Sequence, residues 1–113
     1  MSIHGPAHYA LEKLAQTADF LAVGEGDVRS RLAAAFSIFA YLKVDDFPEH
    51  LRKDFEWVIV QLTRFGPRYD HQGKQVEGSV DHTMHRIQNR TGRKIAARLV
   101  YLYHEIESHV YPR

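Results

Sequence analysis

The sequence predicts an all-α protein, a compact bundle of four to five helices. Apolar residues recur at steps of three and four along almost the whole chain, a spacing that places them on one face of an α-helix. No segment shows the alternation of apolar and polar residues that is typical of a half-buried strand. The length of 113 residues suits one domain, because domains most often contain roughly 100–150 residues. We therefore expect a single helical domain over residues 1–113.

The first two helices are predicted to be joined by a short turn that contains glycine. Pro6 suits the first turn of a helix, because the N–H that it lacks would be unpaired there, and Gly24 would end that helix. Asp27 then suits the N-cap of the second helix, since its carboxylate can accept from amides of the first turn. The predicted inward-facing residues are Ala7, Leu11, Leu14, Ala18 and Leu21, followed by Val28, Leu32, Ala35, Phe36, Phe39 and Leu42.

The third helix has the strongest amphipathic pattern and follows a stop at Pro48. Proline disfavours a helical conformation at the preceding Phe47. Asp45 and Asp46 lie where the dipole of the next helix favours negative charge. The inward-facing residues are Leu51, Phe55, Val58, Leu62 and Phe65. Glycine and proline then end the helix, and the polar residues of about 66–78 are predicted to form a loop without regular structure.

The last third of the chain predicts a short helix and a long one. Ser79 suits the N-cap of a short helix that contains Val80, Met84 and Ile87. At Thr91-Gly92 two alternatives stay open, because Thr91 can cap a new helix or both residues can lie within a kinked continuous one. The final apolar face consists of Ile95, Leu99, Leu102 and Ile106, with Val110 one turn further. We expect the third and the last helix to supply most of the core.

The composition excludes several classes of protein. With 44% hydrophobic and 26% charged residues, the chain is neither collagen-like nor wholly disordered. The absence of cysteine excludes disulfides, thiolate nucleophiles and cysteine-ligated zinc. The first residues lack the cationic start and apolar core of a secretory signal, and no apolar run approaches the roughly 18 residues of a membrane span. We therefore expect a cytoplasmic protein without a membrane partner.

Part of the sequence resembles a family of small bacterial helical proteins. The shared residues are Asp46-Phe47-Pro48, Leu51-Arg52, Asp54-Phe55 and Leu62-Thr63, then Gly78-Ser79-Val80 with Thr83, and finally Ile95-Ala96 with Arg98. The resemblance covers about residues 29–106, implies a compact helical unit and assigns no activity. The chain departs from the pattern at residues 90–94, which are basic where the family has an acidic capping sequence.

The histidines do not predict a metal site. His82 and His85 are three residues apart on a predicted helix, so both can project to one side, and Asp81 or Glu77 can supply an oxygen ligand. A structural or catalytic metal usually needs three or four protein ligands at a recognisable spacing, and this segment offers no such set. We therefore predict neither a metal nor a cofactor.

One pair of residues is similar to the catalytic motif of HEPN ribonucleases, which are small all-α dimers. Arg98 and His104 form an Arg-x5-His pair, and in that family the arginine and histidine line a composite site on RNA. About two arginine–histidine pairs at any of the three allowed separations are expected by chance in this composition, and two occur, the other being Arg64 with His71. Leu99 also replaces the polar residue that usually follows the arginine. The sequence therefore predicts no enzyme.

The uneven distribution of charge carries the functional prediction. Residues 1–63 contain six basic and nine acidic side chains, whereas residues 64–113 contain nine and five. No acidic residue lies between Asp81 and Glu105. Four basic residues of this interval would form a ridge at steps of four if one helix ran through Gly92, namely Arg86, Arg90, Lys94 and Arg98. We predict that the basic residues of this interval bind a macromolecular partner: Arg86, Arg90, Arg93, Lys94 and Arg98.

These observations predict a non-enzymatic interaction protein that binds another macromolecule, either a protein partner or a second copy of the chain. Trp57, Tyr101 and Tyr103 can contribute, since aromatic residues and arginine dominate many interfaces. Two alternatives stay open. One is a nucleic-acid-binding module that uses residues 82–104, with phosphates on the basic ridge and Gln88 and Asn89 within reach of base edges. The other is a HEPN-like ribonuclease.

Overall fold

The computed structural model describes residues 5–113 and confirms the all-α prediction. The five α-helices are α1 (Gly5–Val23), α2 (Val28–Phe39), α3 (Arg52–Leu62), α4 (Ser79–Arg86) and α5 (Asn89–Val110). Two single-turn 3₁₀-helices join α2 to α3, at Val44–Asp46 and Glu49–Leu51. The long helix α5 packs against α1, α2 and α3. No helix within residues 5–113 is both long and apolar enough to cross a membrane.

The turn between α1 and α2 matches its prediction. Gly24 follows the last residue of α1, and its N–H donates to the carbonyl of Phe20 at 2.7 Å. Asp27 is the N-cap of α2, because its Oδ1 accepts from the backbone N–H of Ser30 at 3.1 Å. Its Oδ2 accepts from Arg29 at 3.0 Å. The backbone hydrogen bond, followed by the arginine, lowers the pKa of Asp27 below its ordinary value.

The break between the last two helices lies at Ile87 and Gln88, so the residues Thr91-Gly92 do not start a helix. Both are inside α5. Gly92 is buried against α2, where an added Cβ would lie 3.0 Å from Cγ1 of Val28 and 3.3 Å from Cγ of Arg29. The glycine therefore allows the close approach of α5 to α2.

The prediction of a structureless loop at about 66–78 is wrong, because this segment contains a short antiparallel hairpin. Its strands are β1 (Arg68–Tyr69) and β2 (Gln75–Glu77). At its turn, Oδ1 of Asp70 accepts from the amides of Gln72 and Lys74 at 2.8 and 3.0 Å. Gly73 adopts a φ of +81°, which glycine tolerates without strain. Strands of two and three residues are too short to show an alternating pattern.

The core lies where α5 packs against the other three long helices. The expectation that α3 and α5 supply most of it is wrong, because α1 and α2 bury as many apolar side chains as α3 and α5 do. Phe47 and Phe55 stack at the entry to α3, with their ring centroids 4.4 Å apart. The central residues of α5 are almost fully buried and match the predicted face: Ile95, Leu99, Leu102 and Ile106.

Candidate macromolecular interface

The five basic residues that are predicted from the sequence to bind a partner lie on two helices rather than one. Arg86 ends α4, and the other four lie in the first three turns of α5. Arg90, Lys94 and Arg98 are spaced by four residues, so they share one side of α5, and Arg93 lies beside Arg90. The predicted ridge from Arg86 to Arg98 is therefore interrupted, because the chain leaves helical geometry at Ile87 and Gln88.

Arg98 is held by two side chains of α3. Its Nη1 donates to Oδ1 of Asp54 at 2.7 Å, and its Cζ lies 4.7 Å from the centroid of the Trp57 ring. Both interactions are favourable, since a guanidinium bonds a carboxylate and also stacks on an aromatic face. The charge of Arg98 is thus compensated and its side chain is fixed, while 38% of that side chain stays exposed.

Arg98 forms part of an open groove between α3 and α5. We call this feature the α3–α5 groove, and its lining residues are Asp54, Trp57, Lys94, Ala97, Arg98 and Tyr101. Two of the predicted binding cations and two of the three predicted aromatic residues therefore meet in one place. Tryptophan, tyrosine and arginine are the residue types most enriched at binding hot spots.

The two tyrosines of α5 differ in their surroundings. Tyr101 is 45% exposed in the α3–α5 groove. A hydrogen bond to Glu105 and the negative charge of that residue raise the pKa of Tyr101, so its hydroxyl is neutral at physiological pH. Tyr103 is half-buried elsewhere on α5, where its hydroxyl donates to Oε2 of Glu107 at 3.3 Å. Burial and that carboxylate raise the pKa of Tyr103. Of these two tyrosines, Tyr101 is therefore the one that can contribute to the groove.

The other four predicted cations are exposed and make no ion pair within residues 5–113. Two acidic residues on neighbouring elements, Glu77 and Asp27, are occupied by other partners. Glu77 accepts from Nε of Arg68 at 2.6 Å and contacts His85, and Arg68 followed by His85 lowers the pKa of Glu77. Asp27 is bonded to Arg29. Asp81, in the first turn of α4, is exposed and forms no ion pair with any other described residue.

Arg64 joins these cations, although the sequence alone places it only in a chance pair with His71. Its Cζ lies 5.5 Å from the centroid of the Phe65 ring, and Cζ of Arg86 lies 4.4 Å from the same centroid. Two hydrogen bonds hold this segment on α4, from the amide of Phe65 to Oγ1 of Thr83 at 3.1 Å and between Nδ1 of His82 and the carbonyl of Gly66 at 2.9 Å. We call the resulting surface the junction surface, and its cations are Arg64, Arg86, Arg90, Arg93 and Lys94.

No sequence signal pointed to Arg64, because its position depends on contacts between residues 16 to 18 positions apart in the chain. The Arg98–Asp54 pair, separated by 44 residues, is equally invisible to a local pattern. The aromatic residues were found, since they lie beside the apolar stripes of two amphipathic helices. Apart from Arg64, the sequence therefore predicts these basic and aromatic residues one by one, whereas the contacts that position them depend on tertiary structure.

The two alternative sites, the Arg98–His104 pair and the His82–His85 pair, bring fewer functional side chains together. Arg98 and His104 lie about 120° apart around α5, and the ring of His104 packs on Tyr103, with centroids 5.1 Å apart. His82 and His85 contact Gly66 and Glu77 respectively. Within the described part of the chain, no three histidine, aspartate or glutamate side chains are grouped to hold a metal ion.

Comparisons of the chain with protein-family models, curated proteins and solved structures found no match. The resemblance to small bacterial helical proteins therefore carries no argument for function. Functional inference rests instead on the geometry of the α3–α5 groove and of the junction surface.

Proposed function

We propose that this chain is a non-enzymatic, cytoplasmic interaction protein that binds another macromolecule with the outer face of α5 and the adjoining side of α3. One observation supports this most strongly. Lys94 and Arg98 were selected by their charge, and Trp57 and Tyr101 by their aromatic character, yet all four line the α3–α5 groove. Charge and aromatic character are separate criteria, so neither criterion requires the cations and the aromatic rings to lie in one groove.

The groove is already organised in the free protein. Asp54 and the Trp57 ring hold the guanidinium of Arg98 in one position, so binding does not have to order this long side chain. Avoiding that loss of side-chain freedom is worth about 0.5–1.5 kcal/mol for each residue. Arg98 uses Nη1 for Asp54, and its guanidinium has further N–H donors for a partner. Lys94 is exposed and has its whole charge available.

The ribonuclease alternative has less support than binding. A composite site needs the arginine and the histidine to converge on one substrate, whereas Arg98 faces α3 and bonds Asp54. His104 is exposed farther along α5 and packs on Tyr103. Within one chain these two side chains do not point to a common position.

Co-purification from the native cells with matched variants tests the proposal. Tagged wild-type chain should recover a protein or nucleic-acid partner, and Trp57→Ala or Lys94→Glu should reduce its recovery at least about tenfold, as expected for hot-spot residues. Lys13→Glu is the control, because it makes the same charge change on α1, away from the groove. Equal recovery by all four proteins would contradict the proposal.

A further inference from the structure

We infer that the macromolecule is a single-stranded nucleic acid, whose phosphates lie on the junction surface and whose bases reach the α3–α5 groove. This inference rests on the proposed function, since it names the partner of the same face. It depends on three features of the structure: unpaired cations drawn from three elements within residues 5–113, the absence of an exposed apolar anchor among them, and the continuity of the cations with the aromatic groove.

The cations of the junction surface lack counter-charges in the described part of the chain. Arg64 follows α3, Arg86 ends α4, and Arg90, Arg93 and Lys94 begin α5. None of the five forms an ion pair within residues 5–113, and all five are exposed. Like charges gathered without counter-charges repel one another and disfavour the compact state. A bound polyanion removes that repulsion.

The arginines on this surface suit phosphate. Four of the five cations are arginine, whose planar fork can bond phosphate oxygens in pairs. Arg64 and Arg86 are positioned by the Phe65 ring on which both lie. The charges are spread over the ends of three elements, and this extended arrangement fits a chain of phosphates better than it fits one small anion.

The low apolar content of the junction surface favours a nucleic acid over an acidic protein as its partner. Protein interfaces have a core that is depleted in charged residues and contains apolar or aromatic anchors. Phe65 is the aromatic residue that Arg64 and Arg86 cover, and it is half-buried beneath these two guanidinium groups. Interfaces with nucleic acids are instead more polar and much more positively charged. Gln88 and Asn89, exposed between Arg86 and Arg90, add amides that can bond base edges.

The groove accounts for the preference for a single strand. Lys94 belongs to both surfaces, so a strand that crosses the junction surface continues into the α3–α5 groove beside Tyr101 and Trp57. Unpaired bases stack on aromatic side chains, whereas the bases of a duplex are already stacked on one another. A single strand can therefore use both surfaces at once.

Fluorescence anisotropy with a labelled, mixed-sequence oligonucleotide of about 16 nucleotides tests the inference. Binding at about 50 mM salt should weaken steeply as salt rises, with a log–log slope near −3.5, because each of five neutralised phosphates contributes roughly −0.7 on a single strand. Tyr101→Ala should weaken binding roughly fivefold to a hundredfold through lost stacking. The corresponding duplex should bind more weakly than the single strand.

Charge variants separate loss of binding from loss of folding. The double variant Arg86→Glu/Arg93→Glu should abolish binding at about 50 mM salt, while Lys13→Glu should bind like the wild type. Arg90→Glu should also weaken binding without lowering the melting temperature, because a carboxylate in the first turn of α5 is favoured by the helix dipole. A parallel loss of melting temperature and binding in Arg90→Glu would contradict the assignment of this residue to phosphate.

The outcomes distinguish this inference from the proposed function. If no oligonucleotide binds at about 50 mM salt, or if the duplex binds as tightly as the single strand and Tyr101→Ala has no effect, the inference is overturned. Should a protein then co-purify with the chain in a manner sensitive to Trp57→Ala, the proposed function still holds with a protein partner. Failure of both experiments overturns both proposals.

Discussion

Arg98 shows at the scale of single residues how a charged side chain can be both structural and available for binding. Asp54 takes one of its N–H groups, and the Trp57 ring supports the guanidinium plane. The remaining cations between Arg86 and Arg98 have no such acidic partner within residues 5–113. Arg98 is therefore fixed in the α3–α5 groove, while the charges of the neighbouring cations have no acidic partner. For this reason we propose different roles for the groove and for the junction surface.

Thr83 links the end of α3 to α4, and its replacement provides a residue-scale prediction. Its side chain is fully buried, and Oγ1 accepts from the amide of Phe65 at 3.1 Å. Thr83→Val keeps the volume but leaves that amide without a partner, so we expect the free energy of unfolding to fall by about 1–3 kcal/mol. Thr83→Ser keeps the hydroxyl and serves as the control. Urea denaturation that gives a larger loss for serine than for valine would contradict this role.

Glu77 predicts an acid-sensitive contribution to stability. Its carboxylate bonds Arg68 within the hairpin and contacts His85 on α4, and Arg68 is the main cause of its lowered pKa. A lowered pKa means that the contribution is complete above the ordinary value of 4.5 and is lost as the pH falls through the lower folded-state value. In urea denaturation, Glu77→Gln should be less stable than the wild type at pH 7, and the two curves should converge in acid. A difference in stability between the wild type and Glu77→Gln that stays constant from pH 7 into acid would contradict this role of Glu77.

At the scale of elements, α5 contacts three other helices with one side and carries most of the proposed binding residues on its solvent-facing side. Its buried residues recur in steps of three and four from Gly92 to Ile106. Lys94, Ala97 and Tyr101 lie on the opposite, solvent-facing side.

Gly92 provides the element-scale prediction. An added Cβ would lie 3.0 Å from Cγ1 of Val28, so Gly92→Leu should separate α5 from α2 and lower the free energy of unfolding by about 1–3 kcal/mol. Gly92→Ala gains helix propensity of up to about 1 kcal/mol, which offsets part of its tighter contact, so its effect should be smaller. Thermal or urea unfolding measures both variants. Equal stability of Gly92→Leu and the wild type would contradict the close packing.

The helices themselves follow from local rules, whereas their boundaries and the site depend on distant contacts. Asp27 is recognisable as an N-cap because capping involves residues three positions apart. The break at Ile87 and Gln88 carries no proline or glycine, while the nearby Gly92, which suggests a break, is required for packing. The Arg64–Phe65–Arg86 arrangement forms only when α3 meets α4. Periodicity therefore predicts the fold class, and tertiary contacts decide how charges combine.

At the scale of the whole molecule, four of the five cations of the junction surface lie at the end of α4 and the start of α5. The first turns of α2 and α5 meet beside this junction, with Gly92 against Val28 and with Arg29 donating to the carbonyl of Ile87 at 2.9 Å. The far end of α5 packs beside other elements, where the rings of His109 and His50 are 6.0 Å apart. The net charge of +1 thus conceals an excess of basic side chains in residues 64–113.

Site-specific photo-crosslinking in native cells tests the central claim, that the outer face of α5 binds another macromolecule. A crosslinking residue at Ala97 lies in the α3–α5 groove, and one at Gln16 is the matched control on the exposed side of α1. We expect a discrete crosslinked product from position 97 that disappears with Lys94→Glu, and none from position 16. The same product from both positions, or one that persists in Lys94→Glu, would contradict that claim.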